Sequence, residues 1–500
     1  MPIHLKKHTS SNTIKHCFSL LCFALLFLIS ACSDNFSSSK LQDIKKENVL
    51  KVGILFDPAS YYIDASGAAG FEYELVQKFG EYLDVKIELV PSYNSAELLP
   101  KLKNGQVDIV VGGTASLSSS NKEFRLSPPY YFIDQKLVFK QGRERPKSFD
   151  ELIDPITVGF GTDHIDAIKE ATQNFPLVKV DIVNNTDPTE LLEALMAEDF
   201  AFTIADSHRL ALMRRYYPDI SVAFTIKQGV PLNWLLPQND DDSLFATLIE
   251  FFGEIHQSGE LTVLEDKYFG HVETFNYVDT RLFIRAIEDV LPKYKPWFEE
   301  YSGDLDWRLI AAQSYQESHW NPRAKSPTGV RGIMMLTQPT AKQMGVKSRL
   351  HAESNIRGGA QYLNLLMQRI PKRISESDRP WFALAAYNLG WGHVQDGRRI
   401  TEQFDGDPDK WVDVKQHLPK LRQKKYYKTT RYGFARGDEA VTYVSNIRRY
   451  YDTLNWIEDQ AIQKELIEKN IEQQKEQANE ELGRELDEEQ TEKPDENINQ

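Results

Sequence analysis

Read for the spacing of its apolar side chains, the chain falls into stretches of distinct texture. An unbroken apolar run, "CFSLLCFALLFLIS" (17–30), gives way to the polar stretch "SDNFSSSKLQDIKKEN" (33–48). From Val49 short strand-like runs alternate with helix-like ones. "VLKVGILF" (49–56), "VKIELVP" (85–91) and "VDIVVGG" (107–113) read as strands. Between them, "GFEYELVQKFGEYL" (70–83) places Phe71, Leu75 and Phe79 at i, i+4 and i+8, and "SAELLPKLKNG" (95–105) is a helix closed by Gly. The alternation resumes at "ITVGFGT" (156–162) and "FAFTIAD" (200–206), then fades near Phe269. Strands and helices alternating at this length predict a mostly parallel sheet with helices on both faces. From Thr280 to Tyr451 the pattern is helical with irregular loops, so a mainly α domain follows the α/β one.

Length and charge refine the division. Five hundred residues exceed one core and suggest two to four domains. The expected organisation is a leader over 1–31, a tether over 32–48, an α/β domain over 49–270, a mainly α domain over 271–455 and an acidic tail over 456–500. The net charge of −14 argues against nucleic-acid binding. One basic stretch, "KLRQKKYYKTTR" (420–431), reads as a solvated loop face that can meet an anionic polymer. From Ala461 to Gln500 there are 13 acidic and 5 basic side chains, so 13 − 5 = 8 of the 14 excess negative charges lie in this stretch. It has no aromatic residue and cannot bury a core, so it reads as a solvated tail; a partner-binding tail is the alternative.

Cys17, Cys22 and Cys32 are the only cysteines, all in the first 32 residues. Lys6, Lys7 and Lys15 precede the apolar run, which is short for a membrane-crossing helix and reads as a secretory leader. It closes with "ISAC" (29–32), which resembles the lipobox of bacterial lipoproteins; a plain signal peptide cleaved nearby is the alternative. The resemblance implies acylation of Cys32, a firm lipid anchor and a mature chain with no disulfide. Ser33, where inner-membrane lipoproteins carry Asp, implies the periplasmic face of the outer membrane. The sixteen residues 33–48 reach roughly 50 Å when stretched.

The segments "LKVGI", "GFEYELVQKFGEYL", "LKNGQVDIVVGGT", "LSPPYYF", "VGFGT" and "IAD", in that order over about 220 residues, together resemble the periplasmic solute-binding fold of the type that binds polar amino acids. The implied fold is two α/β lobes on hinge strands, closing over a ligand. In that family an Arg about six residues before the "FS-x-PYY" phenylalanine clamps the ligand carboxylate. Counting back from Leu126 gives Ser120 here, with Arg125 nearby at a different spacing. Thr114, Arg125 and Asp206 are therefore the candidate ligand residues, and conventional amino-acid binding is in doubt. Asp206 can equally be the N-cap of "SHRLALMRR".

In the α domain, "LDWRLIAAQSYQESHWNP" puts Trp307, Ile310, Ala311, Ser314 and Glu317 on one helix face, with Asp306 as N-cap and Pro322 marking the end. An acid closing an apolar stripe near a helix C-terminus has its pKa raised by desolvation and by the helix dipole, as a general acid requires. On periodicity alone a solvated surface Glu is the plainer reading. "ESHWNPRAKSPTGVRGIMML" (317–336), "ALAAYNLG" (383–390) and "EAVTYVSNI" (439–447) alter that balance. In order and spacing they resemble the three motifs of lytic transglycosylases with a goose-type lysozyme fold.

The resemblance implies that Glu317 is the catalytic acid and base and that peptidoglycan glycan strands are the substrate. It implies that Ser318, Ser326 and Asn388 position sugar and acetamido groups, that Tyr387 supports the glutamate, and that Glu439 and Tyr443 line the cleft. Met335 stands where many relatives carry Gln, so sugar contacts there lack an amide. Each has a plainer alternative: Tyr387 and Tyr443 as core tyrosines, Asn388 as a helix-end residue, Glu439 as a first-turn carboxylate. No metal cluster or phosphate loop is evident, so no cofactor is expected. A lysozyme-type hydrolase and a wall-binding sensor are the competing functions. A peptide or muropeptide is the expected ligand of the α/β domain.

Overall fold

A computed structural model describes residues 39–64, 67–112, 124–160, 162–184, 186–270, 277–326, 329–462 and 469. The leader, Cys32, Thr114 and most of the acidic tail lie outside these residues. The first lobe is built on β1 (Val49–Leu55), the small hairpin β2 (Tyr62–Asp64) and β3 (Gly67–Ala69), β4 (Lys86–Ser92), β5 (Ile109–Val111) and β6 (Phe124–Leu126). The second holds β7 (Tyr131–Lys140), β8 (Ile156–Gly159), β9 (Val180–Val183), β10 (Phe202–Asp206) and β11 (Ile220–Leu232), after which β12 (Leu235–Pro237) returns to the first. The sheets run β4-β1-β5-β12-β6 and β11-β7-β10-β8-β9.

Apolar runs explain the central strands. Leu50, Val52 and Ile54 of β1 and all three residues of β5 are fully buried; the helix Phe71–Leu83 covers one face through Phe71, Leu75, Val76 and Phe79, and Val110 packs on the other with Leu98 and Leu102. The expectation of a mostly parallel sheet needs correction. β1 pairs in parallel with β4 and β5, and β8 with β9 and β10. β12 and β7, however, pair antiparallel with their neighbours. The reason is topological. The chain crosses between lobes twice, at 126–131 and 232–235, and returning strands must run against the first set. β7 and β11, which adjoin these crossings, form the long antiparallel pair of the second sheet.

Three expected boundaries shift. Residues 40–47, read as tether, form the helix Lys40–Glu47, started by a capping box between Ser39 and Gln42 and packed through buried Ile44. Lys40 bonds Asp108 at 2.5 Å, which fastens this helix to the first lobe. The run 280–302 is broken into Tyr277–Asp289 and Lys295–Tyr301, where Pro292 and Pro296 interrupt the helical ladder. The last described helix, 437–462, continues past the expected limit at 455. Its Trp456 stacks on Tyr216 at 4.1 Å between centroids, so this turn belongs to the folded body.

The helical domain has its own core around Phe283, Phe298, Ile310, Phe382, Val444 and Leu454. It joins the α/β domain through Asp266, which is 7% exposed, accepts from Arg448 at 2.9 Å and pairs with Lys415. Arg215 reaches Asp452 at 2.5 Å. Arg448, Asp452 and Trp456, spaced by four, present one face of the 437–462 helix to the α/β domain. No helix among the described residues is long and apolar enough to cross a membrane.

Candidate active site

Asp306 caps the helix Trp307–Ser318 as expected, accepting from the Arg308 amide at 2.9 Å. The helix ends four residues before Pro322. His319 (φ 53°) and Trp320 (φ 58°) both adopt the left-handed conformation, a strained reversal for two side-chain-bearing residues. The indole N–H of Trp320, 1% exposed, donates to the Ala311 carbonyl at 2.9 Å and holds the chain folded back. Glu317 is thereby fixed in the last turn, at the edge of the core.

Glu317 is half-buried. Its Oε1 accepts from the Tyr443 hydroxyl at 2.6 Å. Burial pushes its pKa up to about 8, while the Tyr443 hydrogen bond pulls the other way. No second carboxylate contributes among the described residues. Burial supplies the upward shift. Tyr387 and Tyr443 are themselves raised well above the ordinary phenol range, by burial first and then by the nearby Glu317 charge. Of the expected site residues, the fold thus brings Glu317, Tyr387 and Tyr443 together.

The loop 329–336 closes one side. Gly332 (φ +89°) occupies a turn where a Cβ would stand 1.9 Å from the Arg349 carbonyl oxygen. Asn355, fully buried, accepts from the Met334 amide at 2.7 Å and donates to the Arg349 carbonyl at 2.8 Å. Tyr387 donates to the Met334 carbonyl at 2.9 Å, so it supports the loop beside the glutamate. Met335 is partly exposed with φ 47°. Ser326 accepts from the Val330 amide at 3.2 Å within the same turn region.

Two expected sugar contacts are corrected. Ser318 is buried, donates to the Ile333 carbonyl at 2.8 Å and accepts from the Asn321 amide at 3.1 Å, so it binds helix to loop. Glu439 is exposed in the first turn of its helix and bonds Arg422 at 3.3 Å and Arg436 at 3.4 Å, so arginines rather than the cleft hold it. Asn388 is exposed at the end of Arg379–Leu389. Sequence reading missed Gln313, fully buried one turn before Glu317, whose amide donates to the Tyr443 hydroxyl at 3.2 Å. A polar residue four before the glutamate on an apolar face was the available signal.

In the α/β domain Asp206 does not cap its helix through the side chain. Its carboxylate holds His164 at 2.9 Å and Arg209 at 2.8 Å. Burial acts to raise its pKa, but His164 and Arg209 outweigh burial and hold it below the ordinary range. Arg209 also donates to Asp57 at 2.9 Å and to the Gly112 carbonyl at 3.1 Å, bridging second lobe to first. Arg125 is corrected as a ligand candidate: it pairs with Asp242 and lies 3.5 Å over the Phe245 ring, apart from the Asp206 cluster. Arg209, Asp57 and His164 were not legible as a set, since three segments supply them.

Two lobes joined by crossing strands, followed by a helical domain that sets Glu317 against Tyr443 at the end of a buried helix, define a solute-binding-type module fused to a lysozyme-like transglycosylase module. Family comparison agrees: "Bacterial extracellular solute-binding proteins, family 3" matches residues 50–271, and "Transglycosylase SLT domain" matches 298–410. The membrane-bound lytic murein transglycosylase F of Idiomarina loihiensis is 52% identical over 445 residues, covering 88% of this chain and 98% of that one. Its namesakes in Pseudoalteromonas translucida and Vibrio parahaemolyticus are 49% and 46% identical, covering 89% and 87% of this chain and 95% and 87% of their own lengths. The chain belongs to the membrane-bound lytic murein transglycosylase F family.

Proposed function

We propose that this protein is a peptidoglycan lytic transglycosylase in which Glu317 acts alone, first as acid and then as base. The observation that carries this reading is the half-buried Glu317 carboxylate, its pKa pushed up to about 8 and held by one hydroxyl donor, with no second carboxylate among the described residues contributing to that shift. Hydrolysis of a glycosidic bond ordinarily needs two acids at defined separation. Here protonated Glu317 gives its proton to the oxygen joining N-acetylmuramic acid to N-acetylglucosamine as that bond breaks. The substrate's acetamido carbonyl stabilises the developing cation. Ionised Glu317 then takes the proton of the muramic C6 hydroxyl, whose oxygen closes on C1. The product is a 1,6-anhydro end, and no water is consumed.

Tyr443 supports the carboxylate and Tyr387 holds the loop beside it. Ser326, Met335 and Asn388 are proposed to face the sugars. Digestion of purified sacculi, read by mass spectrometry, is expected to give anhydromuramic products that vanish with Glu317→Gln. Reducing ends instead would make the protein a hydrolase.

Membrane association is proposed to come from acylated Cys32 on the periplasmic face of the outer membrane. Cys32→Ser is expected to release the protein from the membrane fraction; retention there would refute the anchor. The α/β domain is proposed to bind a peptidoglycan-derived peptide between its lobes, at the Asp57–Arg209–Asp206 bridge, and so to regulate turnover. The helix 437–462 supports that coupling, because it carries Tyr443 at one end and the docked Arg448, Asp452 and Trp456 further along. If stem peptides and muropeptides change neither unfolding nor turnover, the regulatory reading fails.

A further inference from the structure

Gln313 and Glu317 lie one helical turn apart, and the Tyr443 hydroxyl spans both side chains: Gln313 Nε2 donates to it at 3.2 Å, and it donates to Glu317 Oε1 at 2.6 Å. Resting on the reading of Glu317 as the acid, we propose that Gln313 is a positioning residue that sets the direction of this hydrogen-bond chain and thereby places the acidic proton of Glu317 on Oε2.

A phenol has one proton to donate. With the amide N–H filling one acceptor position of the Tyr443 oxygen, that proton turns toward Glu317. Oε1 is then held as an acceptor, and a protonated Glu317 carries its hydrogen on Oε2, where it is not spent on protein. If the amide were reversed, the Gln313 carbonyl would compete for the phenol proton and Glu317 would lose its donor.

The surroundings make this assignment specific. Gln313 is 0% exposed between Ala312 and Ser314, both equally buried, and its Oε1 has no hydrogen-bond partner among the described residues. A buried amide with an unsatisfied oxygen destabilises a core, and an apolar residue of like volume would remove that penalty. A side chain retained only for packing would not carry it. The same chain persists through both halves of the cycle. Once Glu317 has lost its proton, the polarised phenol supports the carboxylate until it removes the C6 hydroxyl proton.

The test is a double-mutant cycle in the full-length protein, with Gln313→Met and Gln313→Leu placed in the parent and in the Tyr443→Phe background. Sacculus digestion is followed against pH. In the parent, either substitution is expected to lower kcat about tenfold with KM unchanged and to move the alkaline limb of the profile upward. Either should keep or raise the unfolding temperature. In the Tyr443→Phe background, neither should lower kcat further. Equal losses in both backgrounds, an unmoved alkaline limb, or parental activity in both variants would overturn the proposal. Glu317→Gln is run alongside. If it retains turnover, the reading of the site itself fails, whatever Gln313 does.

Discussion

A carboxylic acid serves as a proton donor at neutral pH only if its surroundings disfavour its charge, and Glu317 meets that condition through burial. Its folded pKa, about 8, lies above the ordinary value, so the folded state binds more protons between the two. The stability linked to that proton is full below the unfolded pKa and is lost as pH rises through the folded one. Glu317→Gln, which mimics the protonated form, should therefore match the parent near pH 4 and exceed it by on the order of 1–3 kcal/mol above pH 8, measured by denaturant unfolding at several pH values. An equal gain at every pH would deny the shift. Catalysis should fall as pH rises past about 8, with a single ionisation. Tyr443→Phe removes the donor that opposes the shift, so its alkaline limb should lie higher and kcat should drop about 10- to 100-fold. A lowered limb would contradict the geometry.

Elements hold these residues by closing turns that few sequences permit. The helix bearing Glu317 stops because His319 and Trp320 turn left-handed and the Trp320 indole locks back onto Ala311. The neighbouring loop depends on Gly332, where the Arg349 oxygen and Asn355 leave no room for a side chain. Gly332→Ala should destabilise the helical domain by about 2 kcal/mol or more and abolish activity, because the turn would move Ile333 and Met334 away from Ser318 and Tyr387. Thermal unfolding and digestion of sacculi would check both effects; an active, stable variant would show that the loop repacks freely. The three motif segments were legible in the sequence because their residue types and order are distinctive. Which of their side chains meet was not, since Ser318 turns to the Ile333 carbonyl of the next loop and Glu439 to Arg422 and Arg436.

At the scale of the whole molecule, the 437–462 helix carries both Tyr443, which bonds Glu317, and the residues docked on the α/β domain. Asp266 and Arg448 are both buried, and removing one partner leaves the other charge uncompensated, a loss of roughly 3–5 kcal/mol in such pairs. Asp266→Asn should separate one calorimetric unfolding transition into two and abolish any response of turnover to muropeptides, while leaving a catalytic site able to cut. A single transition and an intact response would place the coupling elsewhere. The sequence by itself determined the two-domain order, the bounds of seven α/β elements to within a few residues and Glu317 as the candidate acid, because periodicity and motif chemistry are local properties. Tertiary structure alone decided the antiparallel half of each sheet, the docking of residues 40–47 and 456–462, the lobe bridge through Arg209 and the placing of Gln313 against Tyr443. Each depends on contacts between residues far apart in the chain, which spacing along it does not encode.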